Sequence, residues 1–348
     1  MRFGWRAALG ILLSAALLWW ALHDVPFARV IEHMRRANLP LLLLAGAVAT
    51  CIFPLRARRW RPILDPVAPD LPFGVLWRPT AIGMMVNNVF LSRTGEIARA
   101  YALTRETKAV PFTAAFASVA VDRVFDAAVL LAMMFGAMLD PRFAPSATIF
   151  GRPVGEYARG GMVLAIGLFA ALYALVFLPG PMLRLARGMA SLISAGLAER
   201  VGRWLESFVH GLSVLRSPGR FVAVVGWTAL HWFVNALSYW IAMLAFGIDA
   251  PFSATLFLQG LIAIGVAIPQ APGYWGGFEA LAAAGFAVYG VPEEIALAWG
   301  FAYHFVTYIP ITLMGAAYFA RLGMHMADLK AATPAAAGDP PGARQGAA

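Results

Sequence analysis

Arg93, Glu96 and Arg99 follow one another at steps of three in the stretch NNVFLSRTGEIAR, on one stripe of a helix. Two guanidinium groups and one carboxylate so arranged can clasp a phosphate through paired charged hydrogen bonds and keep an acid for a counter-ion or a proton. The same stripe would also serve as a plain ladder of surface ion pairs. A second set, Asp122, Arg123 and Asp126, sits in the apolar run ASVAVDRVFD. Asp122 and Asp126 share a helix face, while Arg123, turned about 100° away, can meet an acid of another helix. Each charge near the middle of a membrane costs roughly 2.5–3.5 kcal/mol, so the trio needs a charge-balanced buried network or a purpose. A third set is IPQAPGYWGGFE, from Ile268 to Glu279. Pro269 and Pro272 break it, and Gly273, Gly276 and Gly277 let backbone amides approach a ligand closely. Glu279 opens the next half-helix, whose dipole favours its charge, and it competes for the same amides. Arg56, Arg58, Arg59 and Trp60, in RARRWRPIL, form a basic cluster at a span end, the usual signature of headgroup anchoring. His231, Asn235, His304 and Tyr308 recur at i, i+4 in two late spans, suiting core packing, interhelical hydrogen bonds or a polar cavity wall.

The elements that must carry these groups are membrane helices. Hydrophobic residues make up 61% of the 348 and charged residues 13%, with a mean hydropathy of +0.71. A soluble domain would carry about a quarter charged residues. The net charge of +9 does not point to nucleic acid, because no Lys/Arg run with interleaved aromatics marks a soluble face. Surplus cytoplasmic Lys and Arg is what a membrane protein carries. Cys51 is the single cysteine, so no disulfide framework or cysteine-rich metal site can form within one chain. The histidines fall at no metal-ligand spacing, no glycine-rich nucleotide loop of the GxxxxGK type is present, and no cofactor is implied.

Six full spans are expected. The first, Ala7 to Leu22, ends in WWAL without a small-x-small cleavage site and so reads as uncleaved. The others run from Leu39 to Leu55, Pro111 to Leu139, Gly161 to Leu178, Phe221 to Gly247 and Ile295 to Ala320. With the amino terminus inside, the inner segments hold 20 Lys and Arg and the outer ones, 23–38 and 140–160, hold 6. That asymmetry places both termini in the cytoplasm. Trp77 to Leu91 must then enter and leave on the cytoplasmic side, and Ala254 to Gly290 must enter from the opposite face. Breakers and charge at such depth are tolerated where the backbone is buried in protein or lines a wet cavity.

The fold class that results is an all-α polytopic membrane protein of about six spans plus two re-entrant or broken helical hairpins in an inverted repeat. Such a repeat puts a binding site where discontinuous helices meet. Eight ordinary spans with glycine kinks are the plainer alternative. Residues 1–38 would form the first span and an external amphipathic link, 39–139 the first repeat, 140–220 a linking span and a cytoplasmic interfacial helix, 221–326 the second repeat, and 327–348 a disordered tail. The interfacial helix, Pro181 to Arg220, would be drawn to anionic headgroups.

The ordered set RARRW, GEIARAYAL, ASVAVDRVFD and IPQAPGYWGGFE resembles the lysylphosphatidylglycerol-synthase transmembrane-region family, also called the UPF0104 or flippase-like family, over roughly Leu9 to Arg321. That family is similar to the flippase half of multiple-peptide-resistance factors, which move an aminoacylated phospholipid between leaflets, and includes hopanoid-associated and polyprenol-linked sugar pathway members. The resemblance lays the family's Gly-Glu on Gly95 and Glu96 and its following arginine on Arg99. It lays the intramembrane acid-arginine and later aspartate on Asp122, Arg123 and Asp126, and the second-hairpin residues on Pro269, Pro272, Gly273, Gly276 and Glu279. Ser92 stands where proline is usual, which predicts a softer first break, and Asp122 where glutamate is usual.

The resemblance implies a bacterial inner-membrane protein that moves an anionic amphiphilic lipid between leaflets, whether phospholipid, hopanoid-linked or polyprenyl-phosphate-linked. Arg93, Arg99 and Arg123 would escort the headgroup, and any uphill transport would need the proton-motive force, with Glu96, Asp122, Asp126 or Glu279 as proton carriers. Its partners would be membrane lipids and a separately encoded lipid-modifying enzyme, with homo-oligomerisation compatible and nucleic acid excluded. Without a soluble aminoacyl-transferase domain a non-enzyme is expected. The alternative is a membrane enzyme, or an accessory or scaffold subunit of a lipid-modifying or lipid-linked glycan pathway.

Overall fold

Proline, glycine and charge divide the apolar sequence into helices of two lengths. The computed structural model describes residues 25–90, 94–144, 178–212, 217–266 and 272–325, with scattered positions in 12–19 and 146–174. A short helix α1 (Phe27–Arg36) precedes α2 (Leu39–Leu64). Asn38 caps α2, its side chain accepting the Leu41 N–H at 3.2 Å, one of the donors a helix start leaves free. The first hairpin is α3 (Phe73–Val89) and α4 (Gly95–Glu106), followed by α5 (Phe112–Ala137). A two-residue ribbon pairs β1 (Thr148–Ile149) with β2 (Arg152–Pro153). After α6 (Pro179–Ser191) and α7 (Ala195–Leu212) come α8 (Pro218–Ala245), then the second hairpin, α9 (Phe252–Gly265) and α10 (Gly277–Ala287), and last α11 (Glu293–Arg321).

The chain is an all-α membrane protein. By length and apolar composition α2, α8 and α11 can cross a bilayer. Helix α5 matches the 26 residues of α2 but carries its charges, Asp122, Arg123 and Asp126, near its middle rather than toward one end. The spans expected over Ala7 to Leu22 and Gly161 to Leu178 lie largely outside the described residues, as does the tail from 327. The single interfacial helix expected over Pro181 to Arg220 is instead two packed helices, α6 and α7, joined at Leu192 to Ser194 and tied by Arg187 to Glu206.

The two halves repeat one plan. Helices α2 to α5 have 26, 17, 12 and 26 residues, and α8 to α11 have 28, 14, 11 and 29. Each main packing in one half has its counterpart in the other, and the halves exchange contacts, α3 lying on α11 and α9 on α5. The corresponding helices α2 and α8 pair with each other and run antiparallel. Asn38 N–H reaches Ala245 carbonyl at 2.8 Å at one end, and Arg59 approaches Thr228 at 3.5 Å toward the other. The repeat is therefore inverted. At 1.5 Å per residue the hairpin arms are only about 16–26 Å long, shorter than the roughly 30 Å hydrocarbon core.

The second break is sharp, and the first is described only at its edges. In the second, Gly273, Tyr274 and Gly276 have φ of 67°, 63° and 86°, left-handed backbone that turns the chain abruptly. In the first, Phe90 leaves α3 in extended conformation, and Arg93 lies outside the described residues. Gly83 and Gly95 hold this hairpin shut: a Cβ on Gly95 would lie 2.1 Å from the Gly83 carbonyl oxygen.

Candidate functional site

The first repeat gathers its charges into one buried network. Arg59, fully buried on α2, lies between the two acids of α5, with Nη2 2.7 Å from Asp122 Oδ1 and Nη1 bonded to Asp126 Oδ1. Arg56, one turn earlier, reaches Asp126 Oδ2 at 3.0 Å. From α4, Arg99 meets Asp122 Oδ2 at 2.9 Å, with its guanidinium 3.9 Å over the Trp60 ring, a stacking that suits a weakly hydrated planar cation. Trp232 of α8 donates its indole N–H to Asp126 at 2.9 Å. Arg123, on another face of α5, crosses to Glu96 Oε1 at 2.8 Å. In turn, Asn87 accepts the Gly95 N–H at 2.9 Å and so fixes the start of α4 beside it.

Four guanidinium groups thus face three carboxylates, leaving one cationic charge in excess within the network. Burial of charge is tolerated when every group is paired, and here the pairing is incomplete. Nε and Nη2 of Arg99, Nε of Arg56 and Arg123, and Oε2 of Glu96 have no hydrogen-bond partner among the described residues. These residues border a cavity between α3, α4 and α5, with Asn87, Gly83 and Thr80 on its wall. Its volume of about 10 Å³ is room for about one water. Arg123 is the most open member, with 40% of its side chain exposed.

The basic cluster therefore needs correcting. Arg56, Arg59 and Trp60 were expected at the headgroup interface, but all three are enclosed against α5, because the acids that neutralise the arginines are there. Only Arg58 points outward, 4.9 Å over Phe73. The stripe of Arg93, Glu96 and Arg99 also divides: Glu96 turns to Arg123 and Arg99 to Asp122.

The second break builds a separate site. Glu279, with no exposed surface, accepts the Gly276 N–H at 2.7 Å and lies 2.7 Å from His304 Nδ1 on α11. Trp275 stacks on that imidazole at 4.1 Å, and Gly300 lets α11 approach the Glu279 backbone. The glycines do not leave the open ligand cradle expected of them. Glu279 takes the Gly276 amide, and Gly273 packs on Tyr308 and the Asn88 carbonyl. The two breaks meet here, where Gly273 packs on the Asn88 carbonyl, and α11 holds the contact: Tyr308 donates to Asn88 O at 3.2 Å and Asn88 donates to Thr312 at 2.9 Å. Pro272 begins the turn, and Pro269 lies outside the described residues.

Residues 7–315 match the sequence profile of the lysylphosphatidylglycerol synthase transmembrane region. The chain belongs to this family. Among its relatives is a UPF0104 membrane protein of Methanothermobacter thermautotrophicus, 27% identical over 83% of this chain and 85% of its own length. A second protein of that name and organism is 23% identical over 89% and 91%. The chain is also 27% identical to the glycosyltransferase AglD of Haloferax volcanii over 78% of its own length, but spans about half of that protein, 47%.

For this family member, sequence reasoning named the acids of the network with Arg99 and Arg123, and missed that Arg56, Arg59 and Trp232 face the same acids. Arg56 and Arg59 looked like a span-end cluster because helix α2 continues to Leu64, well beyond the apolar run ending at Leu55. Trp232 carried no signal at all. His304 did carry one, its i, i+4 recurrence with Tyr308 in an apolar span.

Proposed function

We propose that this protein carries an anionic amphiphilic lipid between the leaflets of the bacterial cytoplasmic membrane, with both termini inside. One observation carries the reading: among the described residues, a buried network with a surplus cation and unpartnered guanidinium N–H groups faces a cavity whose mouth is Arg123. Arginine recognises phosphate through paired donors, and a phosphate arriving there would balance the charge. Acyl or prenyl chains would stay in the bilayer, beside the short hairpin. Because the cavity holds only about one water, this is a closed state, and headgroup entry requires the α3–α4 hairpin to part from α5 at the Glu96–Arg123 contact. The partners on this reading are lipids and the enzyme that modifies them, and the chain itself makes no covalent bond.

Purified protein in vesicles should speed the leaflet exchange of labelled phosphatidylglycerol over that of phosphatidylcholine. Equal acceleration of both lipids, or of neither, refutes an anion-selective path. The similarity to AglD favours a second reading, a membrane module that serves a glycosyltransferase acting on lipid-linked sugar. In that role the network charges would be needed for folding but not for lipid movement.

A further inference from the structure

The inverted repeat allows each residue of one half to be matched to its image by position along corresponding helices. Arg56, Arg59 and Trp60 are residues 18, 21 and 22 of α2, and Asn235, Ser238 and Tyr239 hold those places in α8. Asp122 and Arg123 are residues 11 and 12 of α5, and Tyr303 and His304 hold those places in α11. The contacts follow the same match. Where Arg59 pairs with Asp122 in the first half, the Ser238 hydroxyl meets the Tyr303 hydroxyl in the second. The second half has thus replaced the buried ions by neutral hydrogen bonds, with one exception. Glu96 opens α4 and bonds Arg123, and Glu279 near the start of α10 bonds His304.

The exception differs in one chemical respect. An arginine stays protonated in proteins, so the Glu96–Arg123 pair carries no net charge at any ordinary pH. A neutral histidine beside a carboxylate leaves the pair at one negative charge, and a proton added to either member brings it to zero. Glu279 is fully buried, and the described ion pairs give it no other cation. The titratable groups around the pair are Tyr303 and Tyr308 on α11, Tyr239 on α8, which meets Tyr303 edge-on, and Tyr274 of the turn. Phe278 and Trp275 cover the ring. An uncompensated buried charge is costly, and histidine is the side chain whose charge changes nearest neutrality.

We propose that Glu279 and His304 form a proton-binding site, the switchable counterpart of the fixed pair Glu96–Arg123. The proton comes from water and returns to it, with no bond other than N–H or O–H made or broken. The site stands on the geometry of the pair. Its coupling to lipid movement rests on the transport reading above: protonation on one side and release on the other would bias the second hairpin between two positions against Asn88.

Infrared difference spectra of the purified full chain, recorded on stepping pH through the range where histidine titrates, test the site without any lipid being moved. The expected result is a reversible carboxyl or imidazole change that is absent from E279Q. It should also be absent from H304R, which recreates the arginine pair and keeps the carboxylate balanced should E279Q fold poorly. R123Q should retain it, so loss of the lipid path leaves this signal intact. A wild-type spectrum indifferent to pH, or a change that survives in H304R, overturns the proposal. In vesicles with an imposed pH gradient, wild-type lipid flux should respond to the gradient and H304R flux should not. An H304R flux that still follows the gradient overturns the coupling and leaves the lipid path standing.

Discussion

Residues that look alike in this sequence have different tasks, and burial separates them. Arg59 is fully enclosed and bridges Asp122 to Asp126. R59Q removes that bridge but leaves Asp122 on Arg99 and Asp126 on Arg56 and Trp232, so it should cost about 1.5–3 kcal/mol, the usual worth of a hydrogen bond to a charged group. Purified yield and thermal stability in detergent would check this. Arg123 is two-fifths exposed, and its partner Glu96 lies at the cavity rim. Water can compensate for loss of this pair, so R123Q should fold with a melting temperature close to wild type. The acids were legible in sequence because charge in apolar runs is rare. Which arginine balanced which acid was not, since Arg56 and Arg59 are more than 60 residues from Asp122 and Asp126 and meet them only after α2 packs on α5.

Hairpins and their closures set the element scale. Adding a methyl group at Gly95 would drive it into the Gly83 carbonyl and Asn87. G95A should cost about 1–3 kcal/mol or more, the usual range for overpacking, and weaken the first hairpin ahead of the helices around it. Limited proteolysis between α3 and α4 would report that order. At the far end of α5, Asp140 accepts a hydrogen bond from Ser253 of α9 at 2.7 Å. That hydroxyl first, and the Arg142 amide second, hold the Asp140 carboxyl below its ordinary range. A depressed carboxylate stabilises the fold above its unfolded pKa, and that contribution disappears as pH falls through the folded value. S253A should therefore lower the melting temperature at neutral pH and have little effect in acid, as scanning fluorimetry across pH would show. The breaks themselves were readable from Pro, Gly and Glu. The contact between them was not, because Gly273 meets Asn88 from the other half of the chain, and the α11 residues that hold it, Tyr308 and Thr312, are 220 and 224 residues from Asn88.

For the whole molecule, an excess of Lys and Arg on one side sets the orientation we propose. Of the 20 basic residues counted inside, Arg56, Arg59 and Arg99 are buried in the network, and the remaining asymmetry still favours cytoplasmic termini. With Cys51 replaced, a cysteine at Asp249 should react with an impermeant reagent in intact cells and one at Lys108 should not. The inverted repeat was visible as two broken stretches in opposite settings, whereas its residue-level match needed the helix starts. That match is what divides the molecule into a charged half and a neutral half that share one acid–base pair. The central claim is that the charged half is a path for an anionic headgroup, and the most direct measurement is the initial rate of phosphatidylglycerol exchange by monodisperse R123Q in vesicles. Losing a charged hydrogen bond worth about 1.5–3 kcal/mol should slow exchange by roughly tenfold to a hundredfold. An R123Q protein that folds and moves the lipid at the wild-type rate would contradict the account.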